Sequence, residues 1–351
     1  MSEQHAPVPR RTLRGLLFLL VAVGCVQPVP TPDERLEAAG EHAAALLLQA
    51  RQATNAGDYT KAFGRVDSLL LVAPDLPDAY FQRGYLLMQL YQLDAAQEAF
   101  HEVVALDPYH RGGWYHQGHV FFEKGRYREA IRLYDQQRDV ILSSPKVLRE
   151  FHRETDEAAL QQSWLQIGRA YELLQRPDSA RWAYETVLAL DSTHAQANAW
   201  LAGLYDEDGQ IREALAHQRR AWRNAQDNPD FAYQYGLLLL KEGQLEEALP
   251  LFDYAAARQP WTPGIHYNLG RTLIALGQQE RGQRHLAVTD QLQELDQQID
   301  LARAGIARYP GNVDRWRELA DLLENAGRRA EWLQVRQVVR VLDEEARSAA
   351  Q

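Results

Sequence analysis

The sequence predicts an all-α chain built as a solenoid of about eight helical hairpins. Three observations carry this. A small residue recurs at Ala50, Gly84, Gly118, Gly168, Ala202, Gly236, Gly270 and Ala320, in steps of 34, 34, 50, 34, 34, 34 and 50 residues. Twelve residues after each comes a second column: Ala62, Ala96, Ala130, Ala180, Ala214, Ala248, Gly282 and Trp332. Glycine marks the turn between the columns in Gly57-Asp58-Tyr59, Gly125-Arg126-Tyr127, Gly209-Gln210-Ile211 and Gly243-Gln244-Leu245, where it ends one helix before the next begins. Pro74, Pro108 and Pro260 close three of the units. A two-domain division, the prior for 351 residues, gives way to one elongated core shared by stacked hairpins.

The chain before the repeat has a different character. Arg10-Arg11-Thr12-Leu13-Arg14 precedes an apolar run from Gly15 to Val23, and small residues follow, which describes a signal peptide over residues 1–24. The run is about half of the ~20 residues a membrane-spanning helix needs. Val21-Ala22-Val23-Gly24-Cys25 resembles a bacterial lipobox, with Ala22 where leucine is usual. That resemblance implies lipid on Cys25, which would become the mature N-terminus. An ordinary signal peptide with an incidental cysteine is the alternative, and Arg10-Arg11 leaves Sec and twin-arginine export both open. Residues 25–31 read as a proline-rich tether, Val26-Gln27-Pro28-Val29-Pro30-Thr31 favouring extended polyproline II. Thr31-Pro32-Asp33-Glu34 then carries a helix start: a capping threonine, proline in the first turn and a glutamate three residues on.

Within the repeat, Trp114-x-x-Gln117-Gly118-x-x-Phe121 leads to Ala130-x-x-x-Tyr134, and Trp164-x-x-Ile167-Gly168-x-x-Tyr171 leads to Ala180-x-x-x-Tyr184. These residues resemble the tetratricopeptide repeat family, whose unit is a 34-residue helical hairpin. The resemblance covers about residues 43–340 and implies a right-handed superhelical solenoid; the organised region is taken as 32–340. Small residues in the first column let the first helix (A) approach the second (B), and those in the second column let B pack on the next hairpin.

Two units carry 16 extra residues. After Ala130, Ser143-Ser144-Pro145 stops helix B, so the first insertion is expected to lengthen the next helix A from Lys146 toward Leu174. After Gly282 no strong breaker comes before Pro310-Gly311, so helix B is expected to run from Gln279 to Arg308, with Thr289-Asp290 as a candidate interruption. Leu292, Leu295, Ile299, Ala302 and Ile306 form a stripe along it, read as internal packing with a partner-helix surface as the alternative. The last unit, with Trp332 in the small column, reads as a cap leading into a polar tail over 341–351.

Composition narrows the function. With 38 Lys+Arg against 48 Asp+Glu the net charge is −10, and loss of residues 1–24 removes three arginines and Glu3 to leave about −12, which argues against nucleic acid. A single cysteine excludes an internal disulfide and Cys-cluster metal sites. No phosphate-binding glycine loop, H-E-x-x-H or G-x-S-x-G occurs, and neither a catalytic residue nor a cofactor is expected. His110, His116, His119 and Glu123 form the nearest metal candidate, since helical spacing could gather the last three on one face. The repeat register, however, puts His119 on the concave side and His116 near the other flank, which reads them as solvated or packing side chains.

In the family this chain resembles, helix A positions 2, 5, 9, 12 and 13 line the concave face. Transferred here, that register implies a partner-binding surface of Phe81, Tyr85 and Met88, then Tyr115, His119 and Phe122, then Tyr233, Leu237 and Leu240, then Tyr267 and Arg271. The alternative is that the insertion helices fold over this face and bury it. The basic clamp with which some family members hold acidic tails is absent, since the matching positions are Leu47, Arg51, Phe81, Tyr85, Tyr115 and His119. The expectation is a non-catalytic scaffold or adaptor: a lipoprotein of the bacterial envelope, with Val26 after the cysteine favouring the outer membrane. It would hold protein or peptide segments in its groove; nothing points to a homo-oligomer. Two alternatives are a carbohydrate-binding or polysaccharide-export accessory protein, since aromatic grooves also stack on sugars, and an enzyme with an unfamiliar histidine site.

Overall fold

The computed structural model describes residues 30–309 and 311–349; the leader, Cys25 and most of the tether lie outside them. The described residues form a right-handed helical-repeat solenoid. Helix α1 (Pro32–Ala39) precedes eight hairpins: α2/α3 (Glu41–Asn55, Tyr59–Val72), α4/α5 (Pro77–Gln89, Leu93–Leu106), α6/α7 (Gly113–Glu123, Tyr127–Ser143), α9/α10 (Arg153–Leu173, Pro177–Leu190), α11/α12 (Ala195–Glu207, Ile211–Asn224), α13/α14 (Pro229–Lys241, Leu245–Arg258), α15/α16 (Pro263–Ala275, Gln279–Arg308) and α17/α18 (Val313–Asn325, Arg329–Ala349). A short α8 (Lys146–Phe151) stands between the third and fourth. The expected start of α1 is present in full: Thr31 Oγ1 accepts from the Glu34 N–H, and Glu34 Oε2 accepts from the Thr31 N–H at 2.7 Å. No helix among the described residues is long and apolar enough to cross a membrane.

The two small columns are the hinge of the packing. A β-carbon on Gly84 would meet Phe100 at 2.9 Å, and one on Gly118 would meet Tyr134 at the same distance. Gly282 lies under Gly270, where a β-carbon would stand 2.6 Å from the Gly270 carbonyl oxygen. The rings these glycines admit are fully buried, among them Tyr134, Tyr184, Phe100 and Phe252. Such contacts set how closely each A and B helix approach and so fix the pitch of the stack.

The insertions resolve differently. The first lengthens helix A as expected, but in two pieces: at His152 (φ −96°, ψ 9°) the helix breaks between α8 and α9, and Leu148 is buried at 1% exposure. The second makes α16 an unbroken helix of 30 residues. Thr289 does not interrupt it, because its hydroxyl donates to the His285 carbonyl 3.1 Å away, within its own helix, and the residue is buried. The apolar stripe is internal: Ile299, Ala302 and Ile306 are buried with Leu319, Ala320 and Leu323 of α17, and Leu295 packs beside them. Helix α18 continues to Ala349, across the segment expected as a polar tail.

Candidate functional site

The expected groove residues gather into two groups. In hairpins two and three an aromatic strip centres on His116, a ring the sequence had not assigned to the groove. It stacks on Phe100 (5.4 Å between centroids, 16°) and meets Phe81, Tyr85 and Tyr115 edge-on at 5.1, 6.1 and 5.2 Å. Tyr115 continues the strip to His119 at 6.4 Å, and His119 to Phe122 at 6.3 Å. All of these except the fully buried Phe100 are half-buried. Phe81 also fills the space beside Gly112 and stacks near His110 at 4.9 Å, so it joins two hairpins as well as lining the face. Met88 packs against the apolar cluster around Leu87 and Phe100.

Burial sets the charge of this strip. It pushes His116 down to about 4, helped by the neighbouring His119 and His110, so the ring is neutral at pH 7. Burial lowers His119 too, against a weak opposing pull from Glu123, whose carboxylate is 4.0 Å away. The Tyr115 hydroxyl accepts from Gln162 Nε2 at 2.9 Å, which ties hairpin three to hairpin four across the groove. Among the described residues no three His, Cys, Asp or Glu side chains come together to hold a metal ion.

The second group lies in hairpins six and seven. Tyr233, Leu237 and Leu240 pack on the core around Phe252 and Leu269. The Tyr233 hydroxyl accepts from Asn268 Nδ2 at 2.9 Å. Tyr267 remains 44% exposed, with the Arg271 guanidinium 5.6 Å from its ring centre. These two side chains present the most accessible polar and aromatic atoms of the expected set.

Two further features shape the groove, the first of them in part the alternative that the sequence left open. Helices α1 and α8 reach over the N-terminal end of the groove. Arg35 of α1 pairs with the buried Asp107 at 2.5 Å, and Arg111 pairs with Asp156 of α9 at 2.8 Å. A recess of about 240 Å³ remains between them, bounded by Leu36, Leu47, Arg51, Asp78, His110 and Leu148. The insertion therefore covers part of the inner face, at one end. Hairpins four and five also separate the two aromatic groups with Arg169, Glu172, Ala199, Gly203 and Asp206 at the corresponding positions. A search for large side chains passes over them, although the same register finds them.

Fold and groove together define a helical-repeat scaffold of the kind that holds other proteins, a class typically without catalysis. Tetratricopeptide repeats are found in three segments: family profiles described as "Tetratricopeptide repeat" match residues 81–139, 161–194 and 239–304. The chain is similar to "BBSome complex member bbs-4" of Caenorhabditis elegans, with 23% identity over 211 residues, 58% of this chain and 43% of that protein. It is also similar to "TPR repeat-containing protein YpiA" of Bacillus subtilis, with 23% identity over 239 residues, 63% of this chain and 56% of that protein. The chain thus spans about half the length of these relatives. Among solved structures, PilF of Pseudomonas aeruginosa superposes with a TM-score of 0.53 at 15% identity, covering 64% of this chain and 95% of that one. This last likeness is one of fold.

Proposed function

We propose that the chain is a non-catalytic adaptor of the bacterial envelope, held to a membrane by lipid on Cys25 and binding protein segments along its concave face. The observation that carries the binding half is the groove itself. It keeps half-buried aromatic rings and exposed polar groups, Tyr85, Phe122, Tyr267 and Arg271, on an inner face that α1 and α8 cover only at one end. The membership of one relative in a multiprotein complex is in keeping with this reading. The anchoring half rests on Gly24-Cys25 after a basic and apolar leader, and on Val26 for the outer membrane.

Crosslinking and affinity capture from native membranes tests the first half, using the wild-type chain beside one carrying Tyr267→Ala and Arg271→Ala. A protein recovered with the wild type and lost with the double variant is the expected result. Equal recovery by both refutes groove binding, and a loss confined to glycan ligands replaces the protein partner by a carbohydrate. Cys25→Ser tests the second half: the variant is expected to leave the membrane fraction, and its retention there refutes lipid anchoring.

A further inference from the structure

The stretch of groove between the two aromatic groups has its own shape and charge. In hairpin five, two positions that are aromatic in hairpins two and three are Ala199 and Gly203, and a β-carbon on Gly203 would meet nothing within 4 Å. The result is a recess of about 300 Å³. Trp200, Phe231 and Leu238 wall it, and Glu172, Asp206, Glu207 and Asp230 contribute carboxylates to its lining.

The cations nearby offset only part of that charge. Arg169 lies over the Trp200 ring at 5.1 Å and reaches Glu172 at 3.4 Å, while Lys241 Nζ sits 2.6 Å from both oxygens of Asp206. Asp230 accepts only from the neutral Gln259, and Glu207 has no cationic partner among the described residues. The fully buried Tyr184 hydroxyl lies beside Glu172. Burial raises the Glu172 carboxyl; Arg169 and the Tyr184 hydroxyl oppose that rise and the nearby Glu207 charge adds to it, so a further positive charge there would be favoured.

We propose that this recess receives a lysine or arginine side chain from a partner segment lying extended in the groove. The aliphatic stem would lie along Trp200 and Leu238, with the cationic tip among Glu172, Asp206 and Glu207. The proposal rests on the reading of the groove as a protein-binding face and adds the side chain that this face selects. An acidic partner is disfavoured at the same place by like-charge repulsion.

The test is a synthetic peptide array in which each member with arginine is matched by one with citrulline, its neutral near-isostere, probed with the full chain. Arginine members are expected to be retained about ten-fold more strongly, the size of one charge-assisted contact. Gly203→Phe fills the recess at a position where the backbone has room, and Glu207→Arg reverses its charge. Both are expected to abolish the arginine preference while helical content and unfolding midpoint stay at wild-type values. A preference unchanged in both variants overturns the proposal, as does binding that ignores the citrulline exchange, and either leaves groove binding standing. No retained peptide at all overturns groove binding and this proposal together.

Discussion

A β-carbon added to Gly236 would stand 2.7 Å from Cε1 of Phe252, sixteen residues later in the same hairpin. The pairing repeats: Gly84 admits Phe100, Gly118 admits Tyr134 and Gly168 admits Tyr184, whereas Ala50 and Ala202 stand opposite the smaller Val66 and Gln218. Size in one helix is matched by size in its partner. Helix propensity alone favours alanine over glycine by about 1 kcal/mol, but overpacking a filled site costs about 1–3 kcal/mol and wins. Gly236→Ala is therefore expected to lower the urea midpoint, a net loss of about 1 kcal/mol. Adding Phe252→Leu should make the alanine cheaper than it is beside phenylalanine, a coupling of about 1 kcal/mol measurable in a double-mutant cycle.

Six hairpin turns place a glycine at positive φ, but the second and fourth use Tyr91 and Gln175, each at φ 57°. Both side chains are exposed, so little packing is lost on removing them. A left-handed residue with a β-carbon costs about 1–2 kcal/mol, against which glycine's greater unfolded freedom returns about half. Gln175→Gly is expected to raise the thermal midpoint by a degree or two, in line with a gain of under about 1 kcal/mol. A fall would mean that the turn is held by contacts of the glutamine side chain.

His116 should make the fold acid-sensitive. Its folded ring stays neutral down to about 4, whereas the unfolded chain takes up the proton near 6.5. The unfolded state then binds more protons between these values, so the stability present above pH 6.5 is lost as pH falls toward 4, by about 3 kcal/mol. His116→Phe keeps an aromatic ring and removes the titration. Denaturant titrations at pH 7, 5.5 and 4 should show wild type losing more stability than the variant over that interval. Parallel losses would assign the acid sensitivity to other groups.

The contact between Arg35 and Asp107 closes α1 over the groove, with the two side chains 16% and 5% exposed. Removing the arginine leaves a buried carboxylate without its cation, at a cost of about 3 kcal/mol. Helix α1 has eight residues, too few to persist once undocked. Arg35→Met is expected to abolish amide-exchange protection across Pro32–Ala39 while α4 to α16 exchange as in wild type. Retained protection would assign the docking of α1 to Leu36 alone.

Much of the fold was legible because its rules are local and repeated. Two columns of eight positions, small at all but Trp332, report the hairpins directly together with the glycine turns, and the want of a breaker between Gly282 and Pro310 foretold α16. The bend at His152 has no proline or glycine to announce it. The reach of α1 to Asp107 joins residues 72 positions apart, which no periodicity records. In the groove, the register named Tyr85, Tyr115, His119 and Phe122, whose rings lie in one strip. It did not show His116 at the strip's centre, because that ring's place comes from packing on Phe100. Ala199 and Gly203 went unremarked because small residues matter there only through the space their neighbours leave.

The long α16 also acts as an elbow. Gly282, Leu286 and Thr289 meet α15 or its N-terminal residue, whereas Leu295, Ile299, Ala302 and Ile306 meet the last hairpin. At 3.6 residues per turn these two rows sit roughly 130° apart around the helix axis. Hairpin eight is therefore joined to the other seven through a side of α16 that α15 leaves free.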